Sequence, residues 1–313
     1  MKIGIIGTGM VGSAVAFSIT SEGLADKLIL IDTDKLRATA EAMDISHAAP
    51  FSLGTLITSG DYPDLKGSDI VIITAGANQK AGETRLDLLS KNVAIFKQII
   101  PEVTKYAAGA ILLIATNPVD VMTEVTLKLS GFAKNRIIGT GTVLDSARFR
   151  SILGRHLGIS PKSIHANVIG EHGDSEVLLW AGAVAGTTPV EQIAKQLNLP
   201  LDEKIKNKID NEVRNAAYTI IEGKGSTYYG IAAATQYIVK AILSDNHTIL
   251  NISSHQDICL KIPTDTCFSM PSVISNKGVE TTLTPVMNEH EQKALKKSAD
   301  KLKEYTLKAL EMI

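Results

Sequence analysis

The chain has almost no charge imbalance, very little cysteine and no long apolar run, and each lack closes off a class of protein. Its 32 Lys and Arg stand against 33 Asp and Glu, leaving a formal net charge of −1 with no block of either sign. That balance gives no electrostatic reason to engage nucleic acid or an anionic membrane. No apolar run approaches the ~20 residues that a membrane-spanning helix needs. The two cysteines, Cys259 and Cys267, are too few for a disulfide scaffold. They lie in apolar sequence and read as reduced core residues, so a cytoplasmic protein is expected. Low-complexity segments and internal repeats are also missing.

What is present is ordinary globular material: 313 residues, 44% hydrophobic and 21% charged, enough for two domains or one large one. The opening Met1-Lys2-Ile3-Gly4-Ile5-Ile6, with Ala14-Val15-Ala16 beyond, loosely imitates a secretion signal and its cleavage site. Gly4, Gly7, Gly9 and Gly12 interrupt the would-be apolar region, so a mature N-terminus is expected instead.

Short β-branched runs at 3–6, 28–31, 56–58, 70–74, 111–114 and 136–138 alternate with helical patterns such as 11–21, 35–46 and 87–106. Buried strands separated by helices predict a parallel sheet covered on both faces. Past about residue 140 the pattern changes. Helices are expected at 146–157, 201–222 and 227–243, and strands at 166–169, 248–252, 257–262 and 267–274. A last helix starts near Asn288, where Asn288 and Glu291 form a capping-box pattern, and carries Leu295, Leu302, Ala309 and Ile313 on one stripe. The expected architecture is α/β. A doubly wound Rossmann domain would occupy residues 1–140 and a C-terminal α+β catalytic domain residues 141–313.

Gly7-Thr8-Gly9-Met10-Val11-Gly12 follows the first strand and opens the first helix. The first glycine permits the tight turn, the second lets backbone approach a pyrophosphate, and the third packs helix on sheet. The helix N-terminus then faces the phosphates. Asp32 ends the second strand, where a carboxylate accepts hydrogen bonds from ribose hydroxyls and repels a 2′-phosphate. NAD is therefore expected rather than NADP.

The second half carries Gly170-Glu171-His172-Gly173-Asp174, with Asp145-Ser146-Ala147-Arg148 upstream and Gln79 to Arg85 in a Gly-bearing loop. Singly these are weak: a histidine between glycines is often a turn residue, and Asp-x-x-Arg on a helix is usually a surface pair. Together they supply what reduction of a 2-keto acid requires. His172 donates the proton, because imidazole titrates near neutrality. Asp145 orients its ring and favours the imidazolium. Arg148 binds the substrate carboxylate through a bidentate fork, and Arg85 polarises the carbonyl from a closing loop.

The runs Thr74-Ala75-Gly76-Ala77, Gly82-Glu83-Thr84-Arg85, Thr116-Asn117-Pro118-Val119-Asp120, Leu144 to Arg150 and Gly170 to Asp174 occur in order. On them the chain resembles the L-lactate dehydrogenases, a branch of the lactate/malate dehydrogenase family, over essentially its full length. The resemblance implies the roles just given to His172, Asp145, Arg148 and Arg85, and a contact of Asn117 with substrate and cofactor. It implies that Gly7, Gly9, Met10, Val11, Gly12, Asp32, Arg37, Tyr62, Gly76, Ala77, Thr116 and Thr140 belong to the NAD site. Malate enzymes carry an arginine six residues before the loop arginine, and this chain has Gln79 there. A buried dicarboxylate without its countercharge is costly, so the neutral Gln79, with Thr227 closing the pocket, implies pyruvate and L-lactate rather than malate. Arg150 and His165 fall where allosteric bacterial relatives bind fructose 1,6-bisphosphate between subunits, and the resemblance implies a bacterial-type homotetramer. Fermentation and glycolysis are the implied setting.

Two readings of other classes stand beside this one. A NAD-dependent glycosidase of similar fold would need metal ligands in its site, and no His/Cys cluster has ligand spacing, so no metal is expected. A non-catalytic protein that keeps the fold would have no reason to retain Asp145, Arg148, His172 and Arg85 together.

Overall fold

The computed structural model describes residues 1–77, 85–260 and 262–313. Gln79 and the rest of its loop lie outside the described residues, as does the side chain of Arg85. The first half runs β1 (Lys2–Ile6), α1 (Met10–Ser21), β2 (Lys27–Ile31), α2 (Lys35–Ala48), β3 (Leu56–Ser59), β4 (Ile70–Ile73), α3 (Arg85–Tyr106), β5 (Ile111–Ile114), α4 (Val119–Ser130) and β6 (Ile137–Gly139). All six strands pair in parallel, in the order β3-β2-β1-β4-β5-β6. Their side chains divide between two apolar layers. Ile6, Ile31, Ile73 and Ile114 face the layer containing Phe96 of α3, while Ile5, Leu30, Ile72 and Leu113 face the layer containing Val15 of α1. Burial of both faces is why these strands read as continuous apolar runs.

The second half begins with α5 (Val143–Leu157), then short strands β7 (Ile164–His165), β8 (Val168–Ile169), β9 (Val177–Leu178), β10 (Val184–Ala185) and β11 (Thr188–Pro189). Helices α6 (Val190–Gln196), α7 (Glu203–Lys224) and α8 (Tyr229–Ser244) follow, then β12 (Thr248–Cys259), β13 (Ile262–Ser275), β14 (Gly278–Thr282) and α9 (Glu289–Leu310). A separate apolar cluster forms where Phe149 and Leu153 of α5 meet Val168, Leu178, Ile209 and Val213. The fold is thus a Rossmann-type parallel sheet followed by an α/β second half. Among the described residues, no helix is long and apolar enough to cross a membrane.

Three expectations need correction. The apolar stretch at 257–262 is where a hairpin turns: β12 and β13 are two long antiparallel strands with Cys259 opposite Ile262, and a bulge falls between Gln256 and Ile258. Between the two expected strands, the polar Thr264 and Thr266 are both buried within β13. This hairpin also joins the main sheet, with Ser253 of β12 antiparallel to Gly139 of β6. The last helix ends at Leu310, so Leu295, Leu302 and Ala309 are buried while Ile313 is exposed. Its start is as expected: the Glu291 N–H donates to Asn288 Oδ1 and the Asn288 N–H to Glu291 Oε2, both at 2.9 Å.

Candidate active site

The sheet order reverses between β1 and β4, and a cavity of about 1270 Å³ opens at the ends of these strands. Crevices of this kind hold ligands in doubly wound folds. Gly7 turns the chain out of β1 with φ +97°, and a Cβ there would lie 2.5 Å from the Ala75 nitrogen. At Gly12 a Cβ would lie 1.9 Å from the Gly7 carbonyl oxygen, so only glycine lets α1 sit this close to the sheet. Gly9 is different: a Cβ would meet no protein atom within 4 Å. That open space, at the N-terminus of a 12-residue helix, suits a diphosphate held by backbone N–H groups.

Asp32 lies across the cavity. Its Oδ2 accepts from the Thr8 N–H at 2.6 Å and the Thr8 hydroxyl at 3.0 Å, and its Oδ1 from the Asp34 N–H at 3.0 Å. Partial burial works against the charged form, but these donors outweigh it and hold the carboxyl below its ordinary range. Met10, Val11, Arg37, Tyr62 and Gly76 line the same cavity. Ala77, Thr116 and Thr140 do not line it. The Thr116 hydroxyl donates to the Ala75 carbonyl at 2.8 Å, Thr140 is buried at the end of β6, and the Ala77 N–H donates to Asn92 Oδ1 at 2.7 Å. Thr116 and Ala77 thereby fix the chain that follows β4, where Ala75 and Gly76 line the cavity.

A second cavity of about 240 Å³ is lined by Asn117, Asp120, Asp145, Arg148, His172, Glu176 and Arg214, among others. Asp145 and Arg148 share one face of α5, and Arg148 Nη1 donates to Asp145 Oδ1 at 2.8 Å. The other oxygen, Asp145 Oδ2, lies 2.6 Å from His172 Nδ1. His172 is held at its backbone too, its N–H donating to Asp120 Oδ2 at 2.8 Å. The ring is thus clamped through Nδ1, which leaves Nε2 for a substrate. A quarter of the His172 side-chain surface stays open, against 2% for Asp145.

Burial alone would lower the His172 pKa. The Asp145 charge and hydrogen bond reverse that, with help from Asp120 and Glu176, and raise it to about 9. Asp145 responds in the opposite sense: burial works against its charge, but His172 and Arg148 hold its carboxyl low. A permanently ionised aspartate beside an imidazolium poised above neutrality is an acid-base pair.

Sequence reasoning left Asp120, Glu176, Arg214 and Asn92 without roles. Burial raises Asp120 to about 6 and, with the Asp145 charge, raises Glu176 to about 8. Arg214, on α7, donates from Nη1 to the Asp174 carbonyl at 3.1 Å. Asn92, on α3, accepts from Ala77 and donates through Nδ2 to the Asn117 carbonyl at 2.7 Å, tying the loops after β4 and β5 together. An asparagine between Leu89, Val93 and Phe96 on a buried helical stripe is the signal that could have found it. Thr227, expected in the substrate pocket, lines neither cavity. Arg150 donates from Nε to the Ser146 carbonyl at 3.2 Å on α5, and His165 is exposed on β7.

Comparison with known proteins agrees with this geometry. Residues 1–139 match the model of the lactate/malate dehydrogenase NAD-binding domain, and residues 142–313 match that of the family's alpha/beta C-terminal domain. The chain belongs to the lactate/malate dehydrogenase family. Among curated members it is 50% identical to the L-lactate dehydrogenase of Allorhizobium ampelinum, over 98% of this chain and 99% of the relative. It is 46% identical to that of Thermus aquaticus, over 97% of each. Among solved structures, the MGS-M5 lactate dehydrogenase from a Medee basin deep-sea metagenome superposes with a TM-score of 0.95 at 36% identity, over 98% of both chains. The minor L-lactate dehydrogenase of Enterococcus mundtii gives 0.92 at 36% identity, over 97% of both. As a family member the chain is an NAD-dependent oxidoreductase, and the glycosidase and non-catalytic readings fall away.

Proposed function

We propose that this family member catalyses the reversible reduction of pyruvate to L-lactate, with His172 as proton donor and acceptor. The observation that carries this reading is the clamp on His172, whose Nδ1 is 2.6 Å from a buried Asp145. The Gly7–Gly12 turn and Asp32 would hold NADH, whose chemistry would be hydride donation. Nε2 of His172 gives its proton to the carbonyl oxygen as charge develops there. Asp145 stabilises the imidazolium beforehand and keeps the donor nitrogen turned to the pocket. Arg148 has one guanidinium nitrogen on Asp145 and offers the remaining donors to the substrate carboxylate.

Arg85 as carbonyl polariser, Gln79 as the neutral residue that favours pyruvate over oxaloacetate, Asn117 as a further contact and Thr227 as a pocket wall remain proposals from sequence. So does the assignment of the cofactor-site residues, Ala77, Thr116 and Thr140 included. We place the domain division at 140/141, between the end of β6 and the start of α5. We further propose a cytoplasmic homotetramer serving fermentation downstream of glycolysis, with Arg150 and His165 binding fructose 1,6-bisphosphate across subunits. Two free cysteines support the compartment.

The test is initial rates of NADH oxidation with pyruvate and with oxaloacetate, each with and without fructose 1,6-bisphosphate. Faster turnover of pyruvate supports the reading. Faster turnover of oxaloacetate would remove the Gln79 argument, and turnover of neither would remove the catalytic one. A bisphosphate response lost in Arg150→Gln would support the regulatory site.

A further inference from the structure

The fold assembles a cluster that no sequence spacing announces, on the hairpin β12–β13 where it packs against α4. His255 and Cys267 are directly opposed partners in the antiparallel ladder. Side chains so paired stand ~5 Å apart at Cβ on one face of the sheet. Glu124 of α4 closes the triangle. Its Oε2 lies 2.7 Å from His255 Nδ1 and accepts from Cys267 Sγ at 3.1 Å. The side chains of Glu124 and His255 are 1% and 2% exposed, and Cys267 is 1% exposed. One ligand atom from each of the three lies within 4.8 Å of the others.

Two further observations point to a ligand. Glu124 Oε1 is buried without a hydrogen-bond partner, the Lys128 ammonium lying 3.8 Å away. A buried carboxylate oxygen left this way is costly and calls for an explanation. Second, the far side of the His255 ring is already oriented: Nε2 lies 3.3 Å from Asp257 Oδ1 and 3.3 Å from Asp265 Oδ1. A carboxylate on the second nitrogen is the usual companion of a metal-bound histidine, because it fixes the tautomer and leaves the first nitrogen's lone pair for the metal.

We propose that Glu124, His255 and Cys267 form a binding site for a borderline-soft divalent cation of the Zn²⁺ type. The set of one oxygen, one nitrogen and one sulfur suits such an ion and not Mg²⁺ or Ca²⁺, which take oxygen ligands. Binding displaces the thiol proton and any proton on Nδ1, both of which are directed at the carboxylate. The cation with one thiolate and one carboxylate is then neutral overall, which makes burial tolerable. Three protein ligands leave a fourth position for water or for Glu124 Oε1. None of the three residues lines the His172 cavity, so the site is separate from the reaction.

The experiment uses the purified full chain, stripped with a chelator and titrated with Co²⁺ as a spectroscopic substitute for Zn²⁺. The expected result is one Co²⁺ per chain with a cysteinate-to-cobalt charge-transfer band. The band should survive in Cys259→Ser and vanish in Cys267→Ser, while Glu124→Gln should bind at least about tenfold more weakly and show the band only at saturation. Asp257→Asn with Asp265→Asn should weaken binding by about 10–100-fold and keep the band at saturation. Pyruvate turnover should be unchanged in every variant that folds. Uptake without the band would place the ion on His255, Asp257 and Asp265 at the surface and overturn the proposal. Absence of uptake would do the same, leaving a hydrogen-bonded structural cluster. If Cys267→Ser does not fold, loss of the band in Cys259→Ser overturns the proposal and its retention supports it, since Cys267 is then the remaining thiol.

Discussion

Replacing Asp145 with asparagine tests the central electrostatic argument, because it removes one charge and keeps the shape. His172 is raised from an ordinary 6.5 to about 9, with Asp145 the leading cause of the rise. That rise corresponds to about 3 kcal/mol of extra imidazolium stability. At pH 7.5 the native histidine is almost entirely protonated. With its pKa at or below 6.5, about a tenth or less would be. Pyruvate reduction at pH 7.5 should therefore fall at least about tenfold, and by up to about 10⁴-fold if the wrong tautomer is also favoured. More diagnostic is the profile of kcat/KM between about pH 5 and about pH 10. The native enzyme should lose pyruvate reduction as pH rises through about 9, and Asp145→Asn should lose it below about 7. Lactate oxidation, which needs neutral imidazole, should move oppositely. Stability carries the same signature. The His172–Asp145 pair contributes fully below 6.5, and its contribution is lost as pH rises through about 9. A basic limb that stays near 9 in the variant, with NADH binding intact, would refute the claim that Asp145 sets the histidine.

Glu176→Gln should separate burial from catalysis. Its carboxyl is raised from 4.5 to about 8, so the native state holds a proton that the unfolded chain releases, and stability falls as pH rises across that window. The variant should gain unfolding free energy over the native protein at pH 8 relative to pH 5, by up to a few kcal/mol in denaturant unfolding; an equal difference at both would sink the argument. Gly9→Ala and Gly12→Ala should divide ligand from fold. The first, whose Cβ meets no protein atom, should lower NADH affinity at least about tenfold at unchanged Tm. The second, whose Cβ falls 1.9 Å from a carbonyl oxygen, should cost about 1–3 kcal/mol of stability as well. Calorimetry with and without NADH checks both, and equal behaviour of the two would contradict the cradle. Gln79→Arg should move the pyruvate/oxaloacetate preference towards oxaloacetate by at least about tenfold; an unchanged ratio of initial rates would remove Gln79 as the selector.

Much of the fold was legible because short-range physics writes it into the chain. Parallel strands buried on both faces must be apolar throughout, so β1, β2, β4 and β5 stand out as runs such as Ile-Val-Ile-Ile. The glycines at 7 and 12 occur where a side chain cannot fit, and that demand is local to one turn and the strand beside it. The second half was harder to read. In β12 and β13 the buried positions include Ser253, Thr266, Ser269 and Ser272, which interrupt the apolar pattern; Thr266 Oγ1 meets Thr306 Oγ1 of α9 at 3.0 Å and Ser269 Oγ accepts from the Thr142 N–H at 3.1 Å. The strands therefore looked shorter and more numerous than they are.

The sequence by itself determined the parallel sheet and singled out the glycine turn with Asp32 and the candidate residues His172, Asp145 and Arg148, because each depends on residue type and near spacing. Only the tertiary structure decided how those residues act. Asp120 reaches His172 across 52 residues, and Asp145 reaches it across 27. Glu176 is pushed to about 8 by a burial that no local pattern displays. His255, Cys267 and Glu124 likewise meet from two strands and a helix. Charge and hydrogen bonding through a buried interior act over distance in space, and distance in space is set by packing rather than by order along the chain.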